Sequence, residues 1–245
     1  PVEGAVVAKM RDQLVHRGPD TSGLYVSPNG SAALGFRRLK IIDLSENADA
    51  PLPNEDGSVF VILNGEIYNF AELRVDLIER GHTFRSRSDT EVIVHLYEEY
   101  GPECIDRLDG MFAIAIWDDR QQRLILARDR TGKKPLFFLH TGKRLIFASE
   151  VKAFFPHPDF DLTIDDDAVP AYFIYGYVPS PGTFYRGVRQ LEPATVSIVE
   201  HDGRVTSRVF WRIRFPSKEM VQPITRPAAV ATLRELMENA VQRRL

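Results

Sequence analysis

Along most of the chain, apolar positions recur with the two-residue period of a β-strand, and only a few stretches show helical spacing. Near the start, Val6, Val7, Met10 and Leu14 predict a helix within residues 2–14. Residues 24–26 and 32–36 flank Pro28-Asn29-Gly30 and read as a hairpin, which 37–44 extends as an alternating strand. Residues 45–56, rich in Asn, Asp, Glu and Pro, read as a surface loop. The apolar run 59–63 predicts a buried strand ending at a polar corner, Asn64-Gly65-Glu66-Ile67-Tyr68-Asn69. Asn69 and Glu72 then read as a capping box for a helix that turns Leu73, Leu77 and Ile78 inward and stops near Gly81. Ser88-Asp89-Thr90-Glu91 reads as a second box, before a helix with Val92, Ile93, Leu96, Tyr97 and Tyr100 on its apolar face.

Beyond a short helix over 103–108, residues 111–117 with 123–127, and 136–139 with 145–148, read as further hairpins. Short helices over 150–155 and 172–175, strands over 196–199 and 205–211, and a last helix opened by Pro227 complete the chain. Leu233, Leu236, Met237, Ala240 and Val241 share one face of that last helix. Hairpin-linked strands around a cluster of helices predict antiparallel sheets with helices packed outside, an α+β layered fold.

Composition narrows the function classes. Hydrophobic residues make up 44% of the 245 and charged ones 27%, ordinary for a globular protein with a sizeable core. A net charge of -3 argues against a nucleic-acid partner or a basic membrane patch. No apolar run is long enough to span a bilayer, and Pro1-Val2-Glu3-Gly4 does not read as a signal peptide. A single cysteine, Cys104, rules out an internal disulfide and fits a reducing compartment, so a cytoplasmic location is expected. The start without methionine or cap, and the helical pattern running to Leu245, lead us to expect a piece of a longer chain.

The corner at Asn64 carries the most chemistry. Asn-Gly after a strand is a strong hairpin signal, yet a helix start follows it rather than a second strand. The Asn64 side-chain N–H and the Gly65 backbone N–H could then form the donor pair of an oxyanion hole, with the acid Glu66 beside them. Taken singly, the other candidates have plainer explanations. Arg38 reads as a strand-edge charge, Asp89 as a group complementing a helix N-terminus, and His16 and Arg17 as loop-ordering residues. Cys104 reads as a small core residue, with no His or basic cluster beside it to favour a thiolate. No Gly-rich phosphate loop, His/Cys metal spacing or Ser nucleophile elbow is present.

Taken together, the polar stretches resemble a known family. They are His16-Arg17-Gly18-Pro19-Asp20, Arg37-Arg38-Leu39 through Asp43, the 64–69 corner, Ser88-Asp89-Thr90-Glu91-Val92, Leu108-Asp109-Gly110-Met111-Phe112-Ala113, Arg128-Asp129-Arg130 with Gly132 and Lys134-Pro135-Leu136, and Phe147-Ala148-Ser149-Glu150 with Lys152-Ala153. In this order, from His16 to Trp211, they resemble the glutaminase domain of asparagine synthetase-type class II glutamine amidotransferases. Phe36 stands where that family commonly has His, Lys40 where it has Ser, and Lys133 where it has an apolar residue.

The resemblance implies an N-terminal-nucleophile hydrolase-like four-layer sandwich, two antiparallel sheets between helices. It implies hydrolysis of L-glutamine to glutamate and ammonia by an N-terminal cysteine whose own amino group is the base. That cysteine is not in this sequence, so either it precedes Pro1 or the domain is a non-catalytic relative with a structural or glutamine-sensing role. Arg38 is then the expected partner of the glutamine α-carboxylate, Asp89 and Glu66 of its α-ammonium, and Asn64 and Gly65 the oxyanion donors. Leu39, Ile41 and Ile42 are expected to line the site. Residues 1–215 would be the glutaminase domain, and 216–245 the linker and first helix of an ATP-pyrophosphatase-like synthetase domain of the same chain. ATP and magnesium would belong to that domain and no cofactor to this one. A homodimer is compatible with the resemblance.

Overall fold

The structure, a computed structural model, describes residues 1–142, 144–217 and 223–244. It divides into two compact units, Pro1–Phe210 and Trp211–Leu245. In the first, helix α1 (Gly4–Asp12) precedes the antiparallel hairpin β1 (Thr21–Val26) and β2 (Ala33–Arg38). Then come β3 (Leu52–Pro53), β4 (Val59–Ile67), α2 (Phe70–Glu79), α3 (Glu91–Tyr100), β5 (Gly110–Asp118) and β6 (Arg123–Arg128). The unit continues through β7 (Phe137–His140), β8 (Leu145–Ala148), α4 (Ala168–Tyr175), β9 (Val188–Gln190), β10 (Thr195–Val199) and β11 (Val205–Val209).

The strands form a six-stranded antiparallel sheet in the order β11-β10-β6-β5-β4-β3, a three-stranded sheet β8-β7-β9, and the separate pair β1-β2. Side-chain alternation along β4 and β5 sorts the core into layers. Val59, Val61, Leu63 and Ile67, with Phe112, Ile114 and Ile116, pack on Leu77 of α2 and on Val92, Ile93, Leu96 and Tyr97 of α3. The opposite face, with Ile62, Ala113, Ala115 and Leu126, meets Leu136, Phe138, Leu145 and Phe147 of the three-stranded sheet and its approach. That second sheet in turn covers Val6, Met10 and Leu14, through Leu139, Ile146, Ala148 and Val188. Helices, sheet, sheet and helix thus form the α+β four-layer sandwich anticipated above.

Several local expectations are corrected. The corner at Asn64 is not a corner: β4 runs on through Ile67, with Asn64, Gly65, Glu66 and Ile67 opposite Ala113, Phe112, Met111 and Gly110. The backbone prefers a full ladder to an early helix, and the chain turns only at Tyr68. Neither capping box forms. The Asn69 side chain bonds the backbone of Arg107 and Asp109, and Glu91 accepts from Arg85, Ser86 N and Ser86 Oγ. Ile78 is exposed, because α2 lies on the sheet through Leu77. Residues 39–44 leave the sheet, since the Arg38 guanidinium gathers their carbonyls around itself. The short strand β3 falls where a loop is expected and is held by pairing with β4, and β9, in a stretch to which the sequence reading assigns no element, pairs with β7.

The second unit contains α5 (Arg226–Gln242). Thr225 caps it, accepting from Ala228 N at 3.5 Å, and a proline sits in its first turn.

Candidate active site

Asn64 and Glu66 lie two apart on β4, so both project to the sheet face away from α3. A cleft of about 860 Å³ opens on that side, between β2 and β8 and above the middle of β4 and β5. Asn64 and Gly65 line it, with Leu39, Ile41, Arg17 and Ser149. The Asn64 amide is oriented by its neighbours. Its Oδ1 accepts from Arg17 Nη2 at 3.4 Å, and its Nδ2 donates toward Ser149 Oγ at 3.4 Å. With the carbonyl oxygen engaged by Arg17, the amide group presents its N–H donors toward Ser149, which also lines the cleft.

Arg17 is itself held by Glu150 at 3.0 Å, as is His16 Nε2 at 3.0 Å. Burial pushes the Glu150 carboxyl up, but the hydrogen bonds from His16 and Arg17 outweigh it and leave the group below its ordinary range. Gly18 lets this turn approach β2, where a Cβ would lie 2.4 Å from the Arg37 carbonyl carbon. Gly65 serves the same end on the other wall, where a Cβ would lie 2.0 Å from Met111 O. A side chain at either position would force the cleft wall apart.

The remaining expected residues form a connected polar group beside the cleft rather than on its lining. Arg38 is buried at the end of β2, and its Nη1 donates to Ser45 O at 3.0 Å and Asp49 Oδ1 at 2.6 Å. Its Nη2 donates to Ile42 O at 3.2 Å and to Asp43 O. The loop after β2 is therefore wrapped around the guanidinium, and a carboxylate arriving there would have to displace some of these contacts. The Asp43 carboxylate in turn accepts from Arg87 N at 2.6 Å, two residues before Asp89. Asp89 accepts from Ile67 N at 2.9 Å, which ties it to the strand next to Glu66. Arg38, Asp43, Asp89 and the 66–67 end of β4 are thus brought together by tertiary contacts.

Electrostatics differ across this group. Burial raises the Asp89 carboxyl above its usual value, the Ile67 N–H and Ser88 hydroxyl oppose that, and the nearby Glu66 charge adds to it. Asp43 moves the other way, to about 2, chiefly because the Arg87 N–H and Ser45 hydroxyl stabilise its anion. A cation docked beside Asp89 and Glu66 would relieve both the burial and the like-charge penalty. Arg17 is read from the sequence as a loop-ordering residue and Ser149 and Glu150 have no individual role there, although their motifs are part of the resemblance. Cys104 is fully buried, and burial pushes its thiol far above the ordinary value, so it is no nucleophile.

Residues 2–211 match the glutamine amidotransferase domain family. The chain belongs to that family. Among relatives of this amidotransferase domain, asparagine synthetase [glutamine-hydrolyzing] 1 of Bacillus subtilis (strain 168) is 38% identical over 210 residues, covering 86% of this chain and 33% of that protein. Asparagine synthetase [glutamine-hydrolyzing] 2 of the same organism is 47% identical over 153 residues, covering 62% of this chain and 20% of that protein. The chain therefore spans about a third or less of these relatives. In fold it is similar to the B. subtilis glutamine phosphoribosylpyrophosphate amidotransferase complexed with ADP and GMP, with a TM-score of 0.64 and 21% identity over 86% of this chain and 47% of that one. At that identity the likeness speaks for the shared layered architecture alone. No helix among the described residues is long and apolar enough to cross a membrane.

Proposed function

We propose that this amidotransferase domain hydrolyses L-glutamine to glutamate and ammonia. The ammonia then passes to an ATP- and magnesium-dependent synthetase domain of the same protein, which amidates aspartate or a similar carboxylate in the cytoplasm. The family assignment and the names of the glutamine-hydrolyzing relatives support this reading. So do the positions of Asn64 and Gly65 on the cleft lining, beside a polar group containing Arg38, Glu66 and Asp89. Those charges suit a zwitterion: a guanidinium for the carboxylate, two acids for the ammonium. No residue of this chain is assigned to ATP.

The chemistry needs a thiol, and Cys104 is buried away from the cleft wall. The nucleophile of this reading is the N-terminal cysteine that the family resemblance implies, which is not in this sequence. Among the described residues, β2 pairs only with β1 and β8 only with β7, and residues of both strands line the cleft. The cysteine's own amino group takes the thiol proton, and the sulfur attacks the glutamine side-chain carbonyl carbon while the oxygen's negative charge faces Asn64 and Gly65. Collapse of this adduct breaks the C–N bond as the proton passes to the leaving nitrogen, releasing ammonia. Water then releases glutamate from the thioester.

Asn64 carries the proposal, and its truncation tests it. In the full-length protein, Asn64→Ala lowers kcat/KM for glutamine hydrolysis by about 10²–10³-fold, the cost of one lost oxyanion donor. A glutaminase rate unchanged by that substitution refutes the assignment. Glutamine binding without ammonia release from the intact protein would instead mark the domain as a non-catalytic sensor.

A further inference from the structure

On the outer, helical side of the fold, Glu55, His82, His95 and Glu98 bring four potential ligand atoms within 4.8 Å of one another. Glu55 follows β3, His82 follows α2 and its terminal Gly81, and His95 and Glu98 lie one turn apart on α3. The group sits beneath α3, whereas Asn64 projects from the opposite face of the six-stranded sheet. Nothing in the glutaminase reading uses it.

Its geometry is unlike an ordinary polar cluster. The His95 side chain is 1% exposed, and among the described residues neither of its ring nitrogens, nor Glu98 Oε2, has an aligned hydrogen-bond partner. Orphaned groups this deep are costly, and an imidazolium stabilised by carboxylates would donate to them. Yet His95 Nδ1 is 3.2 Å from Glu55 Oε2 and 3.7 Å from Glu98 Oε2, close but not aligned for a bond. His82 Nδ1 lies 3.2 Å from Glu55 Oε1 and 3.9 Å from Glu98 Oε2. Metal bonds of about 2.0–2.2 Å in a tetrahedron put neighbouring ligand atoms roughly 3.4 Å apart. The observed spacings bracket that distance, and the His82 Nδ1–Glu55 Oε1 pair is itself within hydrogen-bond reach, a contact that a bound ion would replace.

The surroundings support that role. His82 Nε2 is 3.2 Å from Glu99 Oε1, and His95 Nε2 is 3.8 Å from Glu91 Oε1, so each imidazole has a carboxylate behind the nitrogen that faces away from the centre. That arrangement leaves Nδ1 as the ligating atom. Asn54 Nδ2 donates to Glu98 Oε1 at 2.8 Å and Thr83 N to Glu55 Oε1 at 3.0 Å, orienting both carboxylates. Arg120 lies 3.8 Å from Glu98 Oε1, Arg80 3.3 Å from Glu99 Oε2, and Arg85 Nη2 donates to the Glu55 backbone carbonyl at 2.8 Å, so these three guanidinium groups meet outer oxygens or backbone.

We propose that Glu55, His82, His95 and Glu98 form a structural site for a divalent zinc-class cation that pins the loop after β3 and the loop after α2 to helix α3. Two imidazoles and two carboxylates suit Zn²⁺, and four protein ligands leave no open position for catalysis. The half-exposed Glu55 is the entry side.

The test uses the full-length protein, stripped with EDTA and then titrated with Zn²⁺ or Co²⁺. One equivalent per chain retained after desalting, a rise in Tm, and the visible absorption of tetrahedral Co²⁺ are the expected results. His95→Gln and His82→Asn should each weaken binding at least about 100-fold, since losing even an outer partner costs about 10–100-fold. Should His95→Gln not fold, His82→Asn decides, because its ring reaches solvent, with 12% of its side chain exposed. Failure to retain Zn²⁺ or Co²⁺, or equal affinity in the His82→Asn variant, overturns the proposal. Either result leaves the Asn64 test of glutamine hydrolysis standing.

Discussion

Arg38→Ala separates two roles for one side chain. If the guanidinium served only an incoming carboxylate, truncation would raise KM and leave the fold untouched. In the structure, Arg38 is 7% exposed and donates to three backbone carbonyls, of Ile42, Asp43 and Ser45, and to the Asp49 carboxylate. Each stranded carbonyl costs about 1 kcal/mol at the low end of the range, since water can reach part of this loop. A fully buried ion pair broken on one side would cost about 3–5 kcal/mol. The Asp49 side chain is 28% exposed and rehydrates, so roughly 1 kcal/mol is the fair figure for that contact. The loop should therefore open more easily by about 4 kcal/mol, close to a 10³-fold loss of hydrogen-exchange protection at the amides of Lys40, Ser45, Asp49 and Arg87. These amides bond Asp20, Asp43, Glu46 and again Asp43, and so report on the loop directly. Arg38→Lys keeps the charge near Asp49 but not the fork to the carbonyls, and should recover less than half of the loss. Unchanged protection in Arg38→Ala would refute the latch and return Arg38 to a purely ligand-binding role.

Three further outcomes follow from particular contacts. Gly65→Ala drives a methyl into Met111 O and Phe112 Cα on the paired strand, and should destabilise by about 2–3 kcal/mol in urea unfolding; a loss below 0.5 kcal/mol would show that β4 yields there. Asp129 accepts from the backbone N–H groups of Phe112, Thr131, Lys133 and Lys134, so Asp129→Ala should cost at least about 4 kcal/mol and leave little folded protein on gel filtration. Asp43 has its folded pKa lowered to about 2 from 3.8, so its contribution is complete above that ordinary value and is lost as pH falls toward about 2. Exchange at the Arg87 amide should accelerate over that window in the native protein but stay nearly flat in Asp43→Asn; identical profiles would contradict the assignment.

Much was decided by local pattern. Alternation placed the hairpins β1-β2, β5-β6 and β7-β8, and helical spacing placed α1, α2 and α3, because burying one face of a strand or helix requires that period wherever the element packs. The ordered polar motifs also named the family, and the polar residues beside the cleft come from them. What the chain could not declare locally is how far each element runs and what each polar side chain bonds. Asn64-Gly65-Glu66 looks like a turn by composition, yet it is strand because Ala113, Phe112 and Met111 lie opposite it, dozens of residues away. Asn69 and Glu91 look like caps, yet their acceptors and donors lie on other segments. Arg38 looks like an edge charge until the loop it folds is seen around it. Glu55, His82, His95 and Glu98 show no metal spacing, because three separate segments supply them. Periodicity fixes which face a residue shows, a property of its near neighbours. Which partner meets that face is settled only when distant segments pack.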